Sequence, residues 1–126
     1  MPFTDRSVMP TILIVDDDEA IRAMLYDLLC DKYECDTASM AEEALQYIEV
    51  ETYDAILTDI AMPGLTGVEL LKKIQEHDSA TPVILISGKG SEQAQALVDL
   101  GAFAYVTKPF NLVEIEEVIE RAVTQK

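Results

Sequence analysis

The sequence predicts an α/β fold in which helices cover both faces of a parallel sheet. Short runs of β-branched and other apolar residues alternate with stretches of helical spacing, five times along the 126 residues. Four of these runs have no polar face, which is typical of strands that are buried on both sides. Five strand–helix units are too few to close an eight-stranded barrel, so the pattern favours an open, doubly wound sheet.

Four of the strands are predicted from continuous apolar runs. These are residues 12–15, 55–58, 83–86 and 103–106, and a weaker strand is expected near residues 34–38. Such runs are the length of ordinary strands and much shorter than a membrane-spanning helix. The run near residues 34–38 is more polar than the other four. Its assignment as a strand therefore depends on the alternation of strands and helices along the whole chain.

Between the strands, apolar residues recur at the three- and four-residue spacing of amphipathic helices. Ser39 with Glu42 has the spacing of a capping box, and Asn111 is placed to cap the last helix. Gly101 is placed to end the fourth helix in the left-handed conformation. The first helix has the clearest apolar stripe, which consists of Ile21, Met24, Leu25, Leu28 and Leu29.

Composition limits the possible partners and cofactors. Nine Lys and Arg residues against 24 Asp and Glu give a net charge of −15, which disfavours nucleic acids and anionic membranes as partners. Residues 1–10 are too polar for a signal peptide, so we expect a disordered lead-in, one domain over residues 11–126 and a cytoplasmic location. The two cysteines and single histidine do not provide a zinc ligand set.

Polar side chains follow four of the predicted strands, at the points where those strands end. Asp16 and Asp17 follow the first strand, Asp59 ends the third, Ser87 ends the fourth and Lys108 follows the fifth. Parallel sheets of this kind bind ligands outside the carboxyl ends of their strands. We therefore expect these five side chains to converge in one shallow pocket.

The chemistry of this set indicates phosphoryl transfer. Each residue alone has an ordinary interpretation as a helix cap, a loop residue or a solvated lysine, and only the joint pattern indicates a site. Clustered carboxylates repel one another, and oxygen ligands with open positions suit Mg²⁺. Lys108 and Ser87 can contact phosphoryl oxygens, and the Asp59 carboxylate can act as a nucleophile that forms an acyl phosphate.

Four segments together carry a resemblance to a known family. ILIVDDDEAIR, ILTDIAMPGLTGVELL, VILISGKG and GAFAYVTKPF resemble, in this order, the receiver domains of two-component response regulators, including the chemotaxis receiver. The resemblance extends over residues 11–124. It implies the flavodoxin-like (βα)₅ fold with strand order 2-1-3-4-5, and signalling through transient phosphorylation by a histidine kinase, a histidine phosphotransfer protein or a small acyl phosphate.

The resemblance also implies roles for single residues around a Mg²⁺ ion. Asp59 would be the phosphoacceptor and a metal ligand. Asp17 would bind Mg²⁺ directly, and Asp16 would bind it through water. The backbone carbonyl of Ala61 would be a further ligand. Such a domain is not an enzyme acting on a free substrate, although it catalyses its own phosphorylation and dephosphorylation.

The remaining implied roles concern signal output. Ser87 and Lys108 would contact the phosphoryl group, and the Lys108–Pro109 peptide bond would be cis. Tyr105 would turn inward when Ser87 is drawn to the phosphoryl group, unless it is a simple core residue. The change would alter the surface of helix 4, strand 5 and helix 5, which would act on a downstream protein or fused output domain. Oligomeric state stays open between a monomer and a phosphorylation-dependent dimer.

Two other functions fit parts of the pattern. A phosphohydrolase with an aspartate nucleophile commonly has a second acid two residues later, where this chain has Ala61. The chain also lacks a lid insertion, so this function is disfavoured. A phosphate-independent protein-binding module on the same fold is the remaining alternative.

Overall fold

The apolar runs form a five-stranded parallel sheet in a computed structural model that describes residues 9–60, 67–77, 80–88 and 92–124. The strands are β1 (Thr11–Val15), β2 (Glu34–Ala38), β3 (Ala55–Asp59), β4 (Val83–Ser87) and β5 (Ala104–Thr107). The helices are α1 (Glu19–Leu29), α2 (Ala41–Val50), α3 (Gly67–His77), α4 (Glu92–Asp99) and α5 (Leu112–Thr124).

The strand order is β2-β1-β3-β4-β5, which confirms the flavodoxin-like, doubly wound topology. The chain winds from β1 to one edge of the sheet and then, from β3 onward, to the other edge. The reversal lies between β1 and β3, where residue 15 pairs with residue 58. In open α/β sheets, this switch point at the carboxyl ends of the strands is where ligands bind.

Burial on both faces explains why the strand sequences lack a polar side. Successive residues of β1 alternate between two apolar layers, with Leu13 and Val15 in one and Ile12 and Ile14 in the other. The first layer is completed by α2, α3 and α4, and the second by α1 and α5. Burying each aliphatic side chain contributes roughly 1.5–3 kcal/mol, which makes the two layers the main source of stability.

Side-chain caps fix the start of α1 and α5, and one capping prediction for α2 is corrected. Asn111 Oδ1 accepts from the Glu114 amide at 2.7 Å, which confirms the cap of α5. The Ser39–Glu42 capping box is wrong. The first residue of α2 is Ala41, so the third helical residue is Glu43, whose Oε1 accepts from the Ser39 amide at 2.8 Å. At the start of α1, Asp18 accepts from two helix amides.

Two smaller expectations also change. Met24 is 38% exposed, because the predicted stripe of α1 is wider than the face that meets the sheet. The last strand begins at Ala104 rather than Phe103. No helix in the described ranges has the length and apolarity needed to cross a membrane.

Gly101 occupies a position that favours glycine. Its φ is +120°, in the left-handed half of the map, and its amide donates to the Val98 carbonyl at 3.0 Å where α4 ends. A Cβ at this position would also meet the side-chain amide of Gln75. The expected left-handed residue after the fourth helix is thus confirmed.

Replacing Gly101 with Ala should lower the free energy of unfolding by about 1–3 kcal/mol, because a side chain makes this backbone conformation strained. Urea denaturation measures the loss. The matched control is Gly88→Ala, since an added Cβ there would meet nothing within 4 Å. Adding Gln75→Ala to the Gly101→Ala variant should recover only the part of the lost stability that comes from the clash with the Gln75 side chain. Equal losses in the two glycine variants would contradict this interpretation.

Candidate functional site

The carboxyl edge of the sheet brings together the charged residues that follow the strands. Asp16 comes directly after β1, Asp59 is the last residue of β3, and Lys108 comes directly after β5. The Lys108 Nζ lies 2.9 Å from Asp59 Oδ2 and 4.0 Å from Asp16 Oδ2. One carboxylate oxygen from each of Asp16, Asp17 and Asp59 lies within 4.8 Å of the others. The expected convergence of these four residues is confirmed.

Asp16 is the most deeply buried member of this acidic cluster. Its backbone amide donates to the Ala38 carbonyl at 3.1 Å, and its Oδ1 accepts from the Asp18 amide at 2.8 Å. Burial raises the pKa of Asp16 above its ordinary value of 3.8. The hydrogen bond from Asp18 and the charge of Lys108 oppose the increase in pKa, whereas repulsion from Asp59 and Asp17 adds to it.

Lys108 is positioned from its backbone. Its amide donates to the Ser87 carbonyl at 2.7 Å, which ties the residue after β5 to the end of β4. The Lys108–Pro109 peptide bond is cis, as expected. Burial alone would lower the pKa of Lys108. The hydrogen bond and charge of Asp59, together with the charges of Asp16 and Asp18, outweigh burial and raise the pKa. The ammonium is therefore held charged beside the carboxylates.

Two buried polar atoms at this edge form no hydrogen bond. Among buried side-chain oxygen and nitrogen atoms of the described residues, Asp16 Oδ2 and Ser87 Oγ have no hydrogen bond. A buried polar group without a partner costs about 1–3 kcal/mol, and more when it is charged. One atom accepts and the other can donate, so the edge offers an acceptor to a cation and a donor to an oxyanion.

Of the three other site residues predicted from the sequence, the structure describes two, Asp17 and Tyr105. Asp17 is exposed at the rim of the acidic cluster. Ala61 lies outside the described residues. Tyr105 is 39% exposed on the edge strand β5, so the alternative that it is a simple core residue is wrong.

Arg22 is a contact of the site that sequence reasoning missed. Its Nη1 donates to the backbone carbonyl of Asp16 at 2.7 Å. The signal was present in the sequence, because Arg22 lies six residues after Asp16 and one helical turn after the capping residue Asp18. A long side chain at that position points back toward the start of its helix.

Similarity to known proteins fits this geometry. Residues 12–120 match the family model described as response regulator receiver domain. The chain belongs to this family. Two solved receivers have the same fold. One is a response regulator receiver domain protein from Clostridium thermocellum, with a TM-score of 0.86, 31% identity and coverage of 92% of this chain and 95% of that one.

The second solved structure is the receiver domain of NtrX from Brucella abortus. Its TM-score is 0.87 at 34% identity, with coverage of 91% of this receiver and 99% of that chain. Together the two structures show that nearly the whole chain corresponds to a receiver fold.

Curated relatives of this receiver are longer proteins. It is 39% identical over 106 residues to the alkaline phosphatase synthesis transcriptional regulatory protein PhoP of Bacillus subtilis, covering 82% of this chain and 44% of PhoP. It is 35% identical over 115 residues to the DNA-binding transcriptional regulator NtrC of Escherichia coli, covering 90% of this chain and 24% of NtrC. The receiver thus spans less than half of either relative.

The donor set of the receiver fits a hard divalent cation. Three carboxylates supply oxygen ligands only, and one of them, Asp16, has a buried oxygen without a hydrogen bond. Mg²⁺ binds through one or two carboxylates and retains several waters, which suits a cluster whose third member is exposed. The acidic cluster could therefore hold a metal ion.

The raised pKa of Asp16 predicts a pH dependence of stability without divalent metal. The folded protein holds the Asp16 proton more tightly than the unfolded chain. The resulting stability is fully present below pH 3.8 and is lost as pH rises through the raised folded pKa. In EDTA, Asp16→Asn should therefore become progressively more stable than the wild type from about pH 4 toward neutrality, by at most about 1.4 kcal/mol per pH unit.

Urea denaturation across this pH range measures the stability difference between the two proteins. The matched control is Asp31→Asn, which removes an exposed carboxylate between α1 and β2. A stability difference for Asp16→Asn that is flat, or that falls as pH rises, would contradict the buried-carboxyl interpretation.

Proposed function

We propose that this receiver accepts a phosphoryl group on the Asp59 carboxylate, with Mg²⁺ bound beside it. The observation that carries the proposal is the Lys108 ammonium, 2.9 Å from Asp59 Oδ2, in an edge where two further carboxylates converge. An acidic cluster in which Lys108 pairs with Asp59 suits a reaction that brings both a cation and a phosphoryl group. A purely structural ion pair would not require a buried Asp16 oxygen and a buried Ser87 hydroxyl that form no hydrogen bond.

In the proposed reaction, an Asp59 carboxylate oxygen attacks phosphorus, and an acyl P–O bond forms. The P–N bond of a phosphohistidine breaks, and its electron pair leaves with the imidazole, which takes up a proton. With a small acyl phosphate as donor, a P–O bond breaks and a carboxylate leaves. Lys108 offsets charge on the phosphoryl oxygens, and the Ser87 hydroxyl donates to one of them.

Asp16, Asp17 and the backbone carbonyl of Ala61 are the proposed ligands beside Asp59. When bound, Mg²⁺ supplies positive charge that offsets the carboxylates and the incoming phosphoryl group. The fit of the acidic cluster to an oxygen-loving cation supports this assignment.

The proposed output is a change of the surface formed by α4, β5 and α5. The Ser87 carbonyl already accepts from the Lys108 amide, and Tyr105 pairs with Leu85 in the neighbouring strand. Drawing the Ser87 hydroxyl toward a phosphoryl oxygen would leave space into which the exposed Tyr105 ring can turn. Such a change biases an equilibrium between two arrangements of the same surface.

The proposed partners follow from this role. A histidine kinase or histidine phosphotransfer protein would supply the phosphoryl group in the cytoplasm. A downstream protein or fused output domain would respond to the receiver, which would function as a monomer or a phosphorylation-dependent dimer. The proposed domain covers residues 11–126 after a short lead-in. The charge of −15 makes direct contact of this chain with nucleic acid unfavourable.

Acetyl phosphate with Mg²⁺ should add one phosphoryl mass to the wild-type chain, and Asp59→Asn should prevent the addition. Intact-mass spectrometry measures both. Asp54→Asn is the matched control, because Asp54 lies at the opposite end of β3 and its Oδ2 accepts from the Thr11 amide at 2.8 Å. EDTA should suppress the labelling, since uncompensated phosphoanion beside carboxylates is unfavourable.

Equal labelling of wild type and Asp59→Asn would contradict the proposal, and no labelling of either would favour the phosphate-independent binding module. The same samples test the output. NMR signals of the Tyr105 ring should move on phosphorylation of the wild type and move less in phosphorylated Ser87→Ala. An unchanged Tyr105 response in that variant would show that the proposed coupling is wrong.

A further inference from the structure

We propose that Arg22 is a positioning residue for the metal ligands, because it holds the Asp16–Asp17 peptide in the orientation that keeps Asp17 in the acidic cluster. The inference rests on the proposed function, since it concerns the Mg²⁺ site named there. Arg22 would not touch the metal or the phosphoryl group. It would act through the backbone between two ligands.

The contact between Arg22 and the Asp16 carbonyl is short, and backbone hydrogen bonds hold both residues in place. Arg22 Nη1 donates to the Asp16 carbonyl oxygen at 2.7 Å, and the Arg22 side chain is half-buried. The backbone amide of Arg22 donates to the Asp18 carbonyl at 2.9 Å, so its Cα is fixed by the first turn of α1. The guanidinium thus reaches back from a rigid helix to the loop that carries the acidic residues.

A hydrogen bond to the Asp16 carbonyl can restrain the loop that carries Asp16 and Asp17. A peptide group is planar, so the carbonyl oxygen of Asp16 and the amide nitrogen of Asp17 move as one unit. Asp16 is further restrained through its amide, which donates to Ala38, and through its carboxylate, which accepts from Asp18. Arg22 adds the third restraint, and it acts on the peptide that joins Asp16 to Asp17.

The position of the Asp17 carboxylate depends on how the backbone around Asp17 is held. It is exposed, and it forms no hydrogen bond or ion pair with the part of the chain that the structure describes. Its carboxylate nevertheless lies within 4.8 Å of those of Asp16 and Asp59, where repulsion would turn it toward water. The orientation of the Asp16–Asp17 peptide therefore contributes to how the Asp17 carboxylate is placed for binding a cation.

The charge of Arg22 and its hydrogen bond have opposite effects on Mg²⁺ affinity. A nearby guanidinium makes the site less negative, so charge alone predicts that removing Arg22 strengthens Mg²⁺ binding. Loss of an outer contact that orients ligands typically weakens metal affinity 10–100-fold. The sign of the change therefore separates a positioning role from a background charge.

The experiment is a Mg²⁺ titration of the full chain at neutral pH, followed through the backbone amide NMR shifts of residues 16–18 and 59. Arg22→Met, which keeps an apolar stem but removes the charge and the donor, should raise the Mg²⁺ Kd about tenfold or more. Arg22→Lys, which keeps a charge and a single donor, should lie between this variant and the wild type. Arg121→Met, which removes an exposed cation from α5, is the matched control and should leave the Kd within about twofold.

Each other outcome overturns a specific claim. Equal or tighter Mg²⁺ binding by Arg22→Met would overturn the positioning role while leaving the metal site intact. A lower urea midpoint with an unchanged Kd would assign Arg22 a structural role only, and would also overturn the inference. Failure of the wild type to bind Mg²⁺ would overturn the metal site itself, and the inference with it.

Discussion

Burial of the central strands on both faces is the constraint on which the site depends. β3 and β4 are buried along their whole length, and β1 is buried except at its first residue. A side chain with chemistry to perform has no place along such strands, so polar groups occur where the strands end. Parallel strands end at a common edge, and this single geometric fact brings Asp16, Asp59, Ser87 and Lys108 together.

The same geometry leaves the edge with unbalanced electrostatics. Three carboxylates share the edge, and Lys108 lies within ion-pair distance of two of them. The raised pKa of Asp16 and the buried Asp16 and Ser87 oxygens without a hydrogen bond are separate consequences of this arrangement. Stability given up by crowding these carboxylates can return as binding free energy for a cation and a phosphoryl group, which is a common feature of functional sites.

The sequence was most informative where one physical effect dominates. Continuous apolar runs predicted four strands, because burial on both faces leaves little ambiguity, and strand ends then predicted the acidic residues and Lys108. The strand order came from the family resemblance rather than from periodicity, since spacing does not say which strands are neighbours. Tyr105 could not be placed from its apolar strand, because exposure at a sheet edge depends on strand order.

Other details depend on distances that no sequence pattern encodes. A one-residue shift in the start of α2 moved the capping contact of Ser39 from Glu42 to Glu43, and helix boundaries are routinely uncertain by that much. The Arg22 contact depends on how far a flexible side chain reaches from its helix. Such contacts require a three-dimensional arrangement, although the spacing between Arg22 and Asp16 is visible once the contact is known.

The most direct measurement of the central claim is thermal unfolding with EDTA and with Mg²⁺, for the wild type and Asp17→Asn. If the acidic cluster is strained when empty, Mg²⁺ at ten times its Kd should stabilise the wild type by about 1.4 kcal/mol, a shift of several degrees in Tm. Asp17→Asn, which lacks one repelling charge and one ligand, should melt higher than the wild type in EDTA and respond little to Mg²⁺. A wild type that ignores Mg²⁺, together with an Asp17→Asn variant that melts lower, would show that the carboxylates form a structural network instead of a metal and phosphoryl site.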